Sequence, residues 1–291
     1  MMNYQKPMFT SPIFEGKTFV VTGGGTGLGK SMAKYLLELG ANVVICSRKL
    51  EVLEKTASEF QAISKNILPL ACDVRNYAEI EGIIAQTVAH FGDLNGWINN
   101  AAGNFVSPTE RLSNRAFDAV VDIVLKGTYN ASLALGKRWI ELKQQGVMLN
   151  IVTTYAYTGS GYVVPSAAAK AGVLTLTRSL AAEWAKYGIR SNAIAPGPFP
   201  TDATLARLFP KEIAQVVDPM QRVPLKRFGD HQELANLAAY LLSDFSAYIN
   251  GEVITIDGGE WHYNAGMFSG FDKIPTSFWD AFAEKVKGKS E

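Results

Sequence analysis

Thr22-Gly23-Gly24-Gly25-Thr26-Gly27-Leu28-Gly29 follows an apolar run, Thr18 to Val21, and opens a helical pattern, Leu28 to Leu39. A glycine-rich turn between a strand and a helix is the context a dinucleotide-binding turn requires. Glycine permits the tight reversal and lets the backbone approach a pyrophosphate. The free N–H groups and positive dipole end of the following helix then favour the anion. Thr22, Gly23, Gly25, Thr26, Gly27, Leu28 and Gly29 are therefore candidate cofactor contacts.

Outward from this turn the chain alternates. Strand-like runs at Asn42 to Cys46, Ile67 to Ala71, Gly96 to Asn99, Val147 to Val152, Ser191 to Ala195 and Val253 to Ile256 are separated by stretches long enough for crossover helices, the first being Leu50 to Phe60. Repeated β-α units predict one α/β domain of the Rossmann type, a doubly wound parallel sheet of about seven strands with helices on both faces. Its ligand crevice is expected at the carboxyl ends of the strands. Residues 16–259 form this domain, preceded by an extension over 1–15. Two stretches break the rhythm. Residues 196–229 are rich in proline and read as a lid or binding loop. Residues 260–291 carry Trp261, Tyr263, Phe268, Phe271, Phe278, Trp279 and Phe282, an aromatic load that either packs on a neighbouring subunit or its own surface, or roofs the substrate site.

Composition narrows the partners. Of 291 residues 47% are hydrophobic and 19% charged, as in an ordinary globular protein. A net charge of +1, with 28 basic side chains scattered among 27 acidic ones, argues against a nucleic-acid partner. Cys46 and Cys72 lie in apolar runs and read as buried thiols, so neither a disulfide framework nor a metal site is expected. The first residues lack a signal-peptide core, and no apolar run has membrane-spanning length. The last residues, Lys287 to Glu291, are not a Ser-Lys-Leu ending. A cytoplasmic location is expected.

At the end of the second strand, where an NAD site places a carboxylate against the ribose hydroxyls, stands Ser47-Arg48-Lys49. A carboxylate would repel a 2′-phosphate, whereas Arg48 can hold it by forked hydrogen bonds and Lys49 adds a point charge. NADP(H) is the expected cofactor.

Thr22 to Gly29, the run Asn99-Asn100-Ala101-Ala102-Gly103, Lys170 and Pro196-Gly197 resemble the short-chain dehydrogenase/reductase superfamily over about residues 16 to 259. That family normally carries Tyr-x-x-x-Lys, one helical turn apart, whose ammonium lowers the phenol's pKa and orients the nicotinamide ribose. Here Ser166 stands four residues before Lys170, and the usual upstream serine is Thr153 or Thr154. Lys126, where the family usually has Asn, reads either as an extra cation near the proton path or as a lysine reaching solvent.

The departure has a meaning. Asn104-Phe105, Ser107 to Ser113, Tyr155, Gly159-Ser160-Gly161 and Pro165-Ser166 resemble the mitochondrial type of 2,4-dienoyl-CoA reductases, which lack the Tyr-x-x-x-Lys pair. The resemblance implies that Tyr155 and Asn104 hydrogen-bond a thioester carbonyl, that Ser166 supports the site and that Lys170 holds the cofactor ribose. It adds Asp73, Val74, Asn100, Ala101, Pro196, Gly197, Pro198 and Phe199 to the cofactor contacts, and places Arg75, Phe105, Ser113 and Arg207 near an acyl-CoA substrate. A homotetramer is implied as well. Read without the family, Tyr157 rivals Tyr155, while Tyr162 lies at a helix start. Asn104 could be a turn residue, and Ser166 the cap of its helix. Lys170, embedded in alanines, reads as a buried lysine with a specific partner.

The chemistry fits these residues. Hydride added to the far end of a conjugated dienoyl thioester drives charge onto the thioester oxygen, where two donors lower the barrier. The rival enzyme reading is another short-chain reductase acting on enoyl or 3-oxoacyl thioesters. A reading of a different class is a non-catalytic NADP-binding sensor or scaffold.

Overall fold

The structure is a computed structural model, and it describes residues 5–201 and 218–287. Arg207 and much of the expected lid lie outside the described residues.

Seven strands form one parallel sheet in the order β3-β2-β1-β4-β5-β6-β7. They are β1 (Thr18–Thr22), β2 (Asn42–Ser47), β3 (Ile67–Ala71), β4 (Gly96–Asn99), β5 (Gly146–Ile151), β6 (Ile189–Pro196) and β7 (Val253–Ile256). The sequence pattern explains why both faces are covered. In β1, Phe19 and Val21 enter one hydrophobic cluster with Met32, Leu36, Leu53, Leu234 and Ala238, whereas the intervening Val20 enters another with Ile80, Ile83, Leu135, Trp139 and Leu180. Successive side chains of a strand point to opposite faces, so a strand apolar throughout must be buried on both. The first face carries α1 (Gly27–Glu38), α2 (Leu50–Phe60) and α8 (His231–Leu242). The second carries α3 (Tyr77–Phe91), α5 (Gly127–Glu141) and α7 (Val164–Trp184).

Polar groups fix the register of these layers. Asn99 Nδ2 donates to Asn150 Oδ1 at 2.8 Å, and Asn150 Nδ2 donates to Thr177 Oγ1 at 2.9 Å, tying β4 to β5 and β5 to α7. These groups are buried, so each would be penalised if left unpaired. The ties set where the N-terminal turn of α7, with Ser166 and Lys170, meets the sheet. Asp230 and Glu233 form a capping box at the start of α8. At the other end of that helix the Arg190 guanidinium binds the carbonyls of Leu241 and Ser243, both at 3.1 Å, a cation on the negative end of the helix dipole.

Between α4 (Asn114–Val121) and α5 the helix passes through a π-helical turn, Asp122–Lys126. Lys126 ends that turn and is exposed, which favours the solvent-reaching alternative for its side chain. The extension is docked on the domain: Phe9 N donates to Tyr35 Oη at 2.7 Å, and Phe9 stacks on Phe245. Beyond β7, α9 (Glu260–Ala265) is followed by a helix at Thr276–Lys287, and Phe268, Phe271, Phe278, Trp279 and Phe282 pack on one another while staying largely exposed. Among the described residues no helix is long and apolar enough to cross a membrane.

Candidate active site

The glycine-rich turn leaves β1 at Thr22 and enters α1 at Gly27. Its shape is enforced by contact. A Cβ on Gly29 would lie 2.4 Å from the Gly23 carbonyl oxygen and 2.5 Å from Asn100 Nδ2, and Gly23 itself has φ +67°. The turn is thus a close-packed cradle of backbone, with the Thr201 side chain against Gly27. The Thr22 hydroxyl donates to Ile98 O at 3.2 Å and accepts from the amides of Asn100 and Ala101, both at 2.9 Å. Asn100 Nδ2 donates to Thr22 O at 2.9 Å. Thr22 and Asn100 therefore shape the crevice, while Gly25, Thr26, Gly27 and Leu28 line the entry into α1. A pyrophosphate fits this cradle of amides at a helix N-terminus.

Arg48 and Lys49 are exposed beyond β2, with Ser47 half-buried at its end. One strand further, Asp73 accepts a forked pair of hydrogen bonds from Arg75, which holds the Asp73 carboxyl below its usual range; the Arg48 charge adds to the effect. The Arg75 guanidinium, expected near the substrate, is thus engaged by Asp73. Asn130, which the sequence reading did not single out, donates from Nδ2 to Val74 O at 3.0 Å and to Arg75 O at 3.2 Å, fixing this loop from α5. An asparagine among the apolar positions of an amphipathic helix is the signal that could have found it.

At the far side of the crevice Pro196 ends β6, and Gly197 N donates to Ile256 O at 3.0 Å. Pro198 O accepts from Gly229 N at 3.1 Å. The Phe199 ring is buried in the core, so what Phe199 offers a cofactor is backbone. His231 was also missed. Its Nε2 donates to Pro200 O at 2.8 Å, and its Nδ1 lies 2.9 Å from Ser31 Oγ, which links this segment to α1.

The chemical groups converge where the loop after β4 meets the one after β5. Tyr155 opens a short helix, α6 (Tyr155–Thr158). Its Oη lies 3.1 Å from Ser166 Oγ and 3.5 Å from Asn104 Nδ2. Asn104 Oδ1 accepts from Phe105 N at 2.9 Å, which turns the amide nitrogen toward the phenol. Ser166 lies in the first turn of α7, whose N-cap is Val163, so Ser166 is not the helix cap. Burial raises the Tyr155 pKa against the opposing hydrogen bonds with Ser166 and Thr153. The phenol therefore keeps its proton at neutral pH and has it available for a hydrogen bond. Thr153, one of the two candidates for the upstream position, is the one whose hydroxyl acts on the Tyr155 phenol, lowering its pKa against the effect of burial.

Tyr157 is removed from the site. Its Oη donates to Val253 O at 3.2 Å, and its ring stacks on Trp261 with centroids 4.7 Å apart. That stack is where the C-terminal segment meets the helix carrying Tyr155. Phe105 is exposed, and Ser113 uses its hydroxyl to cap α4, accepting from Ala116 N at 3.2 Å. Cys46 and Cys72 are free and buried, and among the described residues no group of three His, Cys, Asp or Glu side chains stands together.

Lys170 is buried and donates to Ile151 O. Burial lowers its pKa from 10.5 to about 8. A lowered lysine pKa means that the folded state resists ionising the group, so stability rises with pH from about 8 towards 10.5. The Lys170 ammonium, followed by NMR in cofactor-free protein, is expected to titrate near about 8, and Lys170→Met to be more stable than the parent at neutral pH. Titration at the ordinary 10.5 contradicts this.

A sequence model of the family described as enoyl-(acyl carrier protein) reductase matches residues 23–260. A Bacillus subtilis (strain 168) protein named "Probable 2,4-dienoyl-CoA reductase", producing the (2E)-enoyl-CoA, is 49% identical over 248 residues, covering 85% of this chain and 97% of its own. A Caenorhabditis elegans protein named "Probable 2,4-dienoyl-CoA reductase 3", producing the (3E)-enoyl-CoA, is 42% identical and covers 94% of this chain and 90% of its own. The crystal structure of a short chain dehydrogenase from Bacillus anthracis superposes with a TM-score of 0.76 at 46% identity, over 84% of this chain and 96% of that one. With its glycine-rich turn, parallel sheet and buried Lys170, this chain belongs to the short-chain dehydrogenase/reductase family of oxidoreductases, which bind a nicotinamide cofactor.

Proposed function

We propose that this chain reduces 2,4-dienoyl-CoA to enoyl-CoA with NADPH, in the β-oxidation of unsaturated fatty acids. The observation that carries the reading is a protonated phenol at position 155, between the Ser166 hydroxyl at 3.1 Å and the Asn104 amide at 3.5 Å, in a chain with serine at position 166. The names of the bacterial and nematode relatives support the same substrate class.

When bound, the reduced nicotinamide supplies a hydride. The glycine cradle holds its pyrophosphate, Arg48 and Lys49 its 2′-phosphate, and Lys170 its nicotinamide ribose. Ser47, Asp73, Val74, Asn100, Ala101 and the backbone of Pro196 to Phe199 complete that site. Tyr155 and Asn104 donate to the thioester oxygen. As two electrons enter the far end of the diene, charge accumulates at that oxygen, and each donor strengthens as it does so. Ser166 keeps the phenol oriented by donating to Oη, which leaves the single phenol proton for the thioester oxygen. A proton on carbon completes the reduction. Ordinary ketone reduction instead needs an acid poised to give its proton to oxygen, and a serine hydroxyl at position 166 is too weak for that.

Acyl-CoA brings phosphates of its own, for which Arg75 would exchange its Asp73 carboxylate partner; Phe105 and Ser113 are assigned to the same substrate, as is Arg207, which lies outside the described residues. The proposal includes a homotetramer, in which the exposed aromatic segment after 260 finds cover, and a cytoplasmic location, with which two free buried thiols are in keeping.

The reaction is tested by following NADPH absorbance and loss of dienoyl conjugation together across 2,4-dienoyl-, 2-enoyl- and 3-oxoacyl-CoA. Dienoyl-CoA is expected to be consumed one-for-one with NADPH and the 3-oxoacyl thioester to be left unreduced; no NADPH loss with any dienoyl chain length overturns the reading. For the cofactor, Arg48→Ala is expected to weaken NADPH by roughly tenfold or more and NADH by much less, as befits loss of a charge-assisted fork. Equal weakening of both contradicts the 2′-phosphate assignment.

A further inference from the structure

The two donors stand on different loops. Asn104 follows β4, and Tyr155 follows β5. Neither loop is part of the sheet, yet the donor atoms lie 3.5 Å apart. A two-donor site demands that this gap be held, because misplacement by about 1 Å costs roughly a hundredfold in rate.

Among the described residues, the backbone hydrogen bond joining the two loops runs from Ser107 N to Tyr162 O, at 2.9 Å. Ser107 lies three positions beyond Asn104. Tyr162 lies between Tyr155 on α6 and Ser166 on α7, so this bond reaches the segment connecting the phenol to its hydroxyl partner. Tyr162 has φ +65°, in the left-handed region that a residue with a bulky side chain rarely enters. The residue is 64% exposed, so burial of its side chain does not compensate for the strained backbone. A strained conformation of this kind persists where surrounding structure demands it. What the strain secures here is the direction of a carbonyl. Nearby, Gly159 adopts φ 72° and ψ 173°, a conformation open essentially to glycine alone, so the whole reversal between α6 and α7 is a specified shape.

We propose that Tyr162 is a positioning residue: its left-handed backbone aims its carbonyl at the Ser107 amide and so sets the gap between the Asn104 and Tyr155 donors. The inference rests on the two-donor reading given under Proposed function. It makes the backbone angle at position 162, not the tyrosine ring, the quantity that catalysis depends on.

Two substitutions separate angle from ring. Valine, β-branched, resists φ above zero, whereas glycine adopts it freely and keeps the carbonyl. Tyr162→Val is expected to lower kcat on dienoyl-CoA by about tenfold or more, with KM for NADPH within about twofold of the parent. Tyr162→Gly is expected to restore kcat to within about threefold of the parent. A readout that needs no substrate accompanies these: amide exchange at Ser107 in NADP+-loaded protein is slow in the parent and in Tyr162→Gly, and fast in Tyr162→Val. The proposal is overturned if Tyr162→Val keeps both kcat and Ser107 protection. It is equally overturned if Tyr162→Gly loses as much kcat as Tyr162→Val while Ser107 stays protected, for then the ring is what matters. Should the parent reduce no dienoyl thioester, the functional reading fails, and Ser107 exchange still decides whether the angle holds the loops.

Discussion

The Thr22 hydroxyl gathers hydrogen bonds from β4 onto β1: it donates to Ile98 O and accepts from the amides of Asn100 and Ala101. Asn100 returns the contact to Thr22 O. These two strands are adjacent and parallel, and the chain leaves both at their carboxyl ends, from β1 into α1 and from β4 towards the Asn104 loop. Everything above the sheet is placed from this junction. The cradle from Gly23 to Gly29 closes against Asn100, and Asn104 follows four residues later. In the proposed reaction a cofactor on the cradle and a substrate on Asn104 would be positioned from one point, which is what hydride transfer between them requires.

The second constraint is electrostatic. Lys170 is buried and Tyr155 half-buried near the crevice, and loss of solvent disfavours the charged form of each: the Tyr155 phenol is raised and the Lys170 ammonium lowered to about 8. In the Tyr-x-x-x-Lys arrangement a lysine one turn away lowers its phenol. In this chain the phenol comes instead from a different helix, and the side chain one turn from Lys170 is a serine that bonds it. The result is a phenol that keeps its proton at neutral pH and, in the proposed reaction, serves as a donor. Such a group stabilises a developing oxyanion better than it serves as an acid.

Much of this was legible in the sequence because it follows from local pattern. The apolar runs of β3, β4 and β7 and the helix α2 have the predicted bounds, since their periodicity is unbroken and their ends are marked by polar or turn-forming residues. The break at Ser166 was legible too, because a missing residue type in a fixed spacing is itself a signal. Contacts between distant segments were not. Arg75 reads as a free arginine until its fork is seen on Asp73, and nothing in the spacing of Tyr157 tells that its hydroxyl goes to Val253. His231 and Asn130 act on backbone carbonyls of segments far away in sequence, a kind of partner that no linear pattern encodes. The π-helical turn before Gly127 was equally silent.

The central claim is that Tyr155 and Asn104 draw charge onto a thioester oxygen. It is met most directly by the absorption spectrum of a 2,4-dienoyl-CoA bound to the protein loaded with NADP+, which cannot give a hydride. Two donors on the carbonyl polarise the conjugated system and move its absorption to longer wavelength. The account predicts such a red shift in the parent protein, reduced in Tyr155→Phe and reduced again when Asn104→Ala is added, with the thioester still bound. A bound thioester whose spectrum is unshifted, or shifted equally in parent and Tyr155→Phe, would contradict it.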